Sequence, residues 1–172
     1  MSIYSKPVYL VEEVAAVVTA TATALGRPVY YMYGHLREIT LRLQELTSST
    51  TNKDKMFPAI ILFTDIPVRV GDPAGFYGTA SLNLIIAHWT QQDYTAAQRL
   101  TNVFKPVLYP IKKEFLNRLQ RHVMFTTPGE LKYTEIDRYF YGSTIENKNV
   151  FNDYIDCIEI QNIQVTIQNK IC

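Results

Sequence analysis

The sequence predicts an α+β fold, in which a small, mostly antiparallel β-sheet is packed with helices. Three observations lead to this fold class. The almost wholly apolar run from Phe57 to Ile66, closed by Pro67, is typical of a strand that is buried on both faces. The next run, from Phe76 to Trp89, alternates apolar and polar residues. Stretches with helical periodicity precede and follow this pair of strands.

The composition fits one globular domain over residues 1–172. The formal net charge of +1 argues against the basic patch that is typical of nucleic-acid-binding proteins. The 12 tyrosines favour an interaction surface, because tyrosine combines apolar area with a polar tip. An equally good interpretation is that the tyrosines line the rim of a small core.

Neither secretion nor membrane insertion is expected. Met1 to Pro7 lacks the pattern of a signal peptide, and no apolar stretch reaches the length of about 20 residues that crosses a bilayer. The 2 cysteines, Cys157 and Cys172, make neither a disulfide scaffold nor a zinc site, so we expect synthesis in a reducing cytoplasm. Cys157 is predicted to be a small buried side chain.

The N-terminal third is predicted to contain two helices with a strand between them. Ser5-Lys6-Pro7 marks the first helix start, and Gly26 with Pro28 marks its end. The predicted segments, in chain order, are a helix from Val8 to Ala24, a short strand from Val29 to Gly34, a helix from His35 to Leu46 and a polar loop from Thr47 to Lys55.

The two central strands are predicted to be joined by a loop from Val68 to Gly75, which is rich in glycine and proline. In the second strand, period-two alternation places one set of residues toward the core: Ala80, Leu82, Leu84 and Ile86. The opposite face is predicted to be largely wet and carries Tyr77, Thr79, Ser81 and Asn83.

A long helical pattern follows the central strands. Asp93 is the expected N-cap, and apolar residues recur at helical spacing from Tyr94 to Arg121. Pro106 and Pro110 each lack a donor and cost about 3 kcal/mol inside a helix. We therefore expect either a kink or two helices that meet near Lys105 to Pro110.

The C-terminal third is predicted to end in a long strand from Tyr154 to Gln168. Ile158 and Ile160 occupy even positions, whereas Ile163 and the apolar residues after it occupy odd positions. Because side chains alternate strictly along a strand, this phase switch predicts a bulge or sharp twist near Gln161-Asn162. Before this strand, His122 to Tyr133 is predicted to be a loop or a short strand, and Tyr133 to Tyr141 shows no clean period.

The sequence contains no recognisable catalytic or metal-binding motif. No phosphate-binding loop, dinucleotide fingerprint, nucleophile elbow or zinc-protease helix occurs. The histidines His35, His88 and His122 are scattered, and Asp65 at a strand end is more typical of a turn than of a catalytic carboxylate. Asp153, Asp156 and Glu159 are not expected to form a joint cation site, because alternation separates Asp156 from the others. We predict no enzymatic activity, no metal and no cofactor.

Basic residues are densest on the long helix. The candidate contacts to a polyanion are Lys112, Lys113, Arg118 and Arg121. With Glu114 among them, they are first interpreted as a solvated face and second as a contact to an acidic partner or to DNA.

Three stretches carry a resemblance to a known family. They are Phe57-Pro58 followed by Ile60-Ile61-Leu62-Phe63-Thr64-Asp65, Asn102-Val103-Phe104-Lys105-Pro106-Val107-Leu108-Tyr109-Pro110, and Phe151-Asn152-Asp153-Tyr154-Ile155-Asp156 running into Ile158-Glu159-Ile160. Together they resemble the tail-terminator and neck (head–tail joining) proteins of tailed bacteriophages, including those of crAss-like and other phages of gut Bacteroides-type hosts. The likeness extends from Tyr9 to Ile167, and its motifs are structural rather than catalytic.

The resemblance implies a tail-terminator-like α+β fold and assembly into a homo-oligomeric ring, commonly sixfold, or twelvefold nearer the portal. Such a ring connects or closes the tail of the virion and frames a channel through which DNA passes without sequence-specific binding. The implied partners are other neck, portal-proximal or tail proteins of the phage. No membrane partner and no cofactor are implied.

A ring subunit needs two different complementary surfaces. Aromatic density predicts candidate subunit contacts in two segments, and the loops Thr47 to Lys55 and Val68 to Gly75 are further candidates. The candidate interface residues are Tyr30, Tyr31, Tyr33, Tyr139 and Tyr141, together with Arg69 and Asp72 of the second loop. Two other functions stay open. One is a nucleic-acid-binding module of a phage that uses the basic helix, and the other is a small hydrolase that uses Asp65 and a histidine.

Overall fold

A computed structural model describes residues 10–47, 56–70, 77–126, 130–142, 151 and 154–168. The described elements, in chain order, are α1 (Leu10–Leu25), β1 (Tyr30–Gly34), α2 (Leu36–Thr47), β2 (Ala59–Phe63), β3 (Val68–Val70), β4 (Tyr77–Thr90), α3 (Ala96–Arg99), a π-helix (Leu100–Leu108), α4 (Tyr109–Gln120), β5 (Phe125–Thr126), β6 (Thr134–Arg138) and β7 (Tyr154–Gln168). The predicted helix start at Ser5-Lys6-Pro7, the predicted loop after Thr47 and the predicted loop residues from Gly71 to Gly75 lie outside the described residues.

The described strands form one mixed sheet in the order β1-β2-β4-β7-β5. β3 pairs with β4 beyond the end of β2, and β6 pairs with β7. β1 runs parallel to β2, and the other strand pairs are antiparallel. The predicted α+β class with a mostly antiparallel sheet is therefore confirmed, as is the pairing of the two central strands through Ile61 and Ile85.

Helices pack on both faces of the sheet. On the first face, α1, the π-helix and α4 cover a cluster that includes Ile60, Leu84 and Ile158. On the second face, α2 covers a smaller cluster that includes Ile61 and Ile85. Because β2 contributes to both clusters, its residues from Ala59 to Leu62 have no exposed surface, as predicted from the apolar run.

The long helix begins later than predicted. Thr95, not Asp93, is the N-cap: its hydroxyl accepts a hydrogen bond from the Gln98 amide, and the Gln98 side chain accepts one from the Thr95 amide. This reciprocal capping box satisfies two amide donors that have no partner within the first helical turn. Asp93 lies two residues earlier and does not cap the helix.

The two prolines are accommodated by a change of helix type. The change from the π-helix to α4 falls at Leu108 and Tyr109, inside the window predicted for a kink or a junction, but the sequence did not predict π geometry. The amide of Tyr109 donates to the carbonyl of Phe104, five residues back. Pro106 lies inside the π-helix, and Pro110 lies in the first turn of α4, where the missing amide proton costs little.

Arg27, which follows α1, donates hydrogen bonds to the π-helix near Pro106. The carbonyl of Pro106 cannot make the ordinary hydrogen bond to residue i+4, because Pro110 has no N–H. Arg27 donates to that carbonyl and to the carbonyl of Val107, both at 3.0 Å. Gly26, with a φ of 62°, ends α1 in the left-handed conformation and turns the chain so that Arg27 follows directly.

The predicted bulge in β7 is confirmed. The register between β4 and β7 shifts between Leu82 and Leu84, where Asn83 stands opposite both Gln161 and Asn162. Asn162 adopts a left-handed φ of 57°, and its amide donates to the Asn83 side chain at 2.8 Å. The extra residue restores the apolar side chains after it to the core face, which is the physical reason for the phase switch in the sequence.

Two further boundaries were predicted wrongly, and one strand was not predicted. β2 ends at Phe63 rather than at Ile66, because the Ile66 amide turns back to the carbonyl of Thr64. The predicted loop begins with a strand, β3, which pairs with the exposed end of β4. The segment without a clean period contains β6, whose side chains are exposed apart from the half-buried Ile136, so hydrophobic alternation could not mark it.

Candidate functional site

The tyrosines of β1 lie along one edge of the sheet. Among the described strands β1 pairs with β2 alone. Tyr33 is 51% exposed, whereas Tyr30 and Tyr31 are half-buried against the two core clusters. The Tyr31 hydroxyl donates to the carbonyl of Val11 at 3.0 Å and so ties α1 to β1, and burial raises the pKa of this phenol. Tyr33 is therefore the member of this group that is open to a partner.

The second tyrosine group forms a turn after β6, from Tyr139 to Gly142, which we name the tyrosine turn. Tyr139 is 45% exposed, and its ring packs edge-on against Phe104 at 5.5 Å. Tyr141 is half-buried and stacks on the ring of Phe151 with 6.3 Å between the centroids. Burial raises the pKa of Tyr141 to about 12. The turn therefore touches the helix layer with its first tyrosine and the second core cluster with its last.

The structure does not bring the two tyrosine groups together. β1 and β6 lie on opposite sides of the pair formed by β2 and β4, so the groups occupy different edges of one sheet. Arg69 is exposed in β3, on the same side of β4 as β2. Asp72 lies outside the described residues. The candidate residues thus define two separate surfaces rather than one site.

A buried ion pair, which was not predicted from the sequence, lies beneath the tyrosine turn. Arg99 and Asp156 are 1% and 0% exposed, and Nη1 of Arg99 lies 2.7 and 2.8 Å from the two carboxylate oxygens. The guanidinium also donates to Thr90 Oγ1 and to the carbonyls of three residues between β4 and α3, namely Gln91, Gln92 and Tyr94. This number of partners compensates much of the cost of removing two charges from water.

One signal could have revealed this pair. Asp156 shares the even phase of Ile158 and Ile160 in β7, so the alternation points its carboxylate toward the core. A carboxylate is almost never fully buried without a cationic or metal partner. The same phase removes Asp156 from any cation site with Glu159, which pairs instead with Arg138.

Three of the four basic candidates lie on α4 and Arg121 is its C-cap; two of the four are ion-paired and two are exposed. Lys112 lies 2.6 Å from Glu135 of β6, and Arg118 lies 2.6 Å from Glu114 one turn earlier. Lys113 and Arg121 are exposed. Tyr109 adds a hydrogen bond from its hydroxyl to Asp137 at 2.6 Å, which raises the pKa of Tyr109 to about 12. Part of the positive charge on this face is therefore neutralised within the molecule.

The residues considered for hydrolysis do not converge on a cavity. Nε2 of His35 lies 3.7 Å from Asp65, but both side chains are more than half exposed. His122 lies near Glu13 at 3.5 Å on the helix side, and His88 lies in β4. Within the described ranges, no three histidine, cysteine, aspartate or glutamate side chains are grouped to hold a metal ion. Cys157 is buried as predicted, and burial raises the pKa of its thiol.

Two shallow depressions of about 420 and 480 Å³ meet at Asn162 on the part of the second face that α2 leaves open. Their walls combine apolar side chains with carboxamides, hydroxyls, two carboxylates (Asp65 and Glu159) and Arg69. Some of the polar groups bond to one another: the Gln164 amide donates to Ser81 Oγ at 3.0 Å. Glu159 is paired with Arg138, and neither lining contains a histidine or a cysteine that could work with Asp65. This surface matches the wet strand face that the alternation of β4 predicted.

Comparison with known proteins adds no relative. No family model matches the chain, and no curated protein is similar to it in sequence. None of the described helices combines the length and the apolar character needed to span a bilayer.

Proposed function

We propose that this chain is a structural protein of a tailed-phage virion, where copies of it form a ring in the neck or tail that connects or closes the tail and frames the DNA channel. The observation that supports this function best is the placement of two exposed tyrosines, Tyr33 and Tyr139, at opposite edges of one sheet. The family resemblance of the three sequence stretches described above supports the same function independently.

A ring of identical subunits joined head to tail uses two unlike surfaces on each subunit. Tyr33 on the β1 edge and Tyr139 on the tyrosine turn supply one exposed aromatic side chain each. Tyrosine is enriched at the centres of protein interfaces, because it buries much apolar area while its hydroxyl keeps a hydrogen bond. In the proposed ring, the β1 edge of one copy contacts the tyrosine turn of the next.

The proposed function requires shape rather than turnover. The described part of the chain offers a well-packed sheet, and its histidine–aspartate contact is exposed, with no histidine in the lining of the depression beside Asp65. DNA would pass through the ring without base-specific contacts, and the other partners would be the neck, portal-proximal or tail proteins above and below it.

The test is assembly in solution and on particles. We expect light scattering after size-exclusion chromatography to detect rings of six or twelve copies, formed alone or on addition of the adjoining neck proteins, and electron micrographs to show a central channel. Tyr33→Ser and Tyr139→Ser should each raise the protein concentration needed for assembly by about 10-fold or more.

Tyr133→Ser is the matched control, because Tyr133 is exposed but belongs to neither proposed surface. Rings that form equally well in both test variants would contradict the assignment of the surfaces. A chain that stays monomeric with every neck partner present would contradict the proposed function itself.

A further inference from the structure

The buried pair of Arg99 and Asp156 contacts the tyrosine turn directly. The Phe140 amide donates to Oδ1 of Asp156 at 3.2 Å, and the Arg99 guanidinium lies 3.9 Å from the centre of the Phe140 ring. The guanidinium also lies 5.9 Å from the ring of Tyr139. A single buried cation thus lies near two consecutive aromatic rings and contacts the carboxylate that accepts from the Phe140 amide.

The turn needs this support because its backbone is unfavourable. Phe140 has a φ of 53°, a left-handed conformation that is rare for a bulky side chain. Such a conformation persists only where surrounding contacts over-determine it, and strained residues of this kind concentrate at functional sites. Arg99 and Asp156 supply those contacts from two elements, α3 and β7, that are far apart in the sequence.

Stability alone is a poor explanation for the pair. The desolvation of two buried charges offsets most of their attraction, so a well-packed apolar pair often serves the core equally well. What an apolar pair cannot supply is an acceptor for the Phe140 amide and a planar cation over its ring. The contacts that distinguish the ion pair from an apolar replacement are therefore those to the tyrosine turn.

We infer that Arg99 and Asp156 are positioning residues for the tyrosine turn: they hold Phe140 in its left-handed conformation and thereby present Tyr139 at the subunit-facing surface. This inference rests on the proposed function for the role of Tyr139, but the positioning itself is a property of the single subunit. Arg99 acts through Phe140 and makes no contact with a partner itself.

Amide hydrogen exchange on the isolated chain tests the positioning. In Arg99→Lys, which keeps the charge but loses the planar fork, the Phe140 amide should exchange about 10-fold faster or more, while the amides of β2 change much less. Arg138→Lys is the matched control, because it makes the same change in the more exposed pair with Glu159 next to the turn. The control should leave the Phe140 amide unchanged.

A uniform increase in exchange across Phe140 and β2 would show that Arg99 serves general stability and would overturn the inference. Unchanged exchange at Phe140 would also overturn it. Where Arg99→Lys fails to fold, Phe140→Leu provides the same test, because it removes the ring beneath the guanidinium and leaves the ion pair in place. In that variant the Tyr141 amide, which donates to the Ile155 carbonyl at 2.7 Å, is the reporter, and faster exchange there is expected.

Assembly provides a second measurement that separates this inference from the proposed function. If the unmodified chain forms rings, Phe140→Leu should raise the assembly concentration about as much as Tyr139→Ser does. If assembly proceeds at the unmodified concentration in Phe140→Leu, Arg99 does not position the interface. If the unmodified chain never assembles, the proposed function fails, and the exchange experiment alone decides whether the turn is held by the ion pair.

Discussion

Gly142 lies at the end of the tyrosine turn, where the chain leaves no room for a side chain. Its φ is 85°, and a Cβ atom built on it would lie 2.2 Å from the Phe151 ring. We expect Gly142→Ala to lower the free energy of unfolding by about 3 kcal/mol, because it combines backbone strain with a steric clash in the second core cluster. Urea denaturation followed by circular dichroism measures this loss.

Gly26→Ala is the control for backbone strain alone. Gly26 also has a left-handed φ, of 62°, but a Cβ atom there meets nothing within 4 Å. Its replacement should cost about 1 kcal/mol. If Gly142→Ala and Gly26→Ala lowered the free energy of unfolding equally, the steric clash with Phe151 would not contribute to the loss.

The raised pKa of Tyr109 predicts that the free energy of unfolding decreases at alkaline pH. Its hydrogen bond to Asp137 raises the pKa of the folded phenol from 10.0 to about 12. Between these values the folded chain keeps a proton that the unfolded chain loses, so the free energy of unfolding falls as pH rises through that interval and is unaffected below it.

Urea midpoints measured from about pH 9 to about pH 11.5 should therefore fall less steeply in Tyr109→Phe than in the unmodified chain. Tyr133→Phe, which removes an exposed tyrosine, is the control and should leave the slope unchanged. A slope in Tyr109→Phe that equals that of the control would contradict the assigned hydrogen bond.

At the scale of elements, the contact between Arg27 and the π-helix can be tested by a double-mutant cycle. Arg27→Met should lower the free energy of unfolding by about 2 kcal/mol, because it removes a charged donor from two carbonyls. Pro110→Ala restores an N–H four residues after Pro106 and gives that carbonyl an alternative donor. The cost of Arg27→Met should therefore be smaller by about 1 kcal/mol in the Pro110→Ala background. Strictly additive effects in chemical denaturation would refute the idea that Arg27 replaces the missing amide.

The same elements show which features a single sequence reveals. The bulge at Asn162 was predictable, because a change of hydrophobic phase within one strand is a local signal. The support of Pro106 by Arg27, across 79 residues, and the pairing of Arg99 with Asp156, across 57 residues, were not. Local periodicity carries no information on which distant charge meets which carbonyl. β6 was missed for a related reason, since its edge position leaves its side chains exposed.

The candidate interface tyrosines were also only partly predictable from the sequence. The tyrosines were found because aromatic density is visible in the sequence, but their division between two sheet edges depends on the strand order. A sequence also cannot distinguish Tyr31, whose hydroxyl is used inside the molecule, from Tyr33, which is open to a partner. The fold class was therefore more predictable than the site, because burial is periodic and interface geometry is not.

At the scale of the whole molecule, charge distinguishes a channel-framing protein from a nucleic-acid-binding module. The formal net charge is +1, and two of the four basic candidates, Lys112 and Arg118, are already paired with glutamates. Within this basic group, Lys113 and Arg121 lie outside these two ion pairs, so we expect binding to a short DNA duplex no tighter than about 10⁻⁴ M at physiological salt. Fluorescence anisotropy with a labelled duplex measures it.

The glutamate partners provide the matched test of this expectation. Glu114→Gln and Glu135→Gln together free Arg118 and Lys112 without changing side-chain size, and the double variant should bind DNA more tightly and with a steeper salt dependence. If all four cations engaged phosphates in the unmodified chain, the slope of log affinity against log salt would be about −3.6, at about −0.9 for each contact. A slope that steep in the unmodified chain would favour the nucleic-acid-binding module over the ring, because it would show that all four candidate cations contact phosphates.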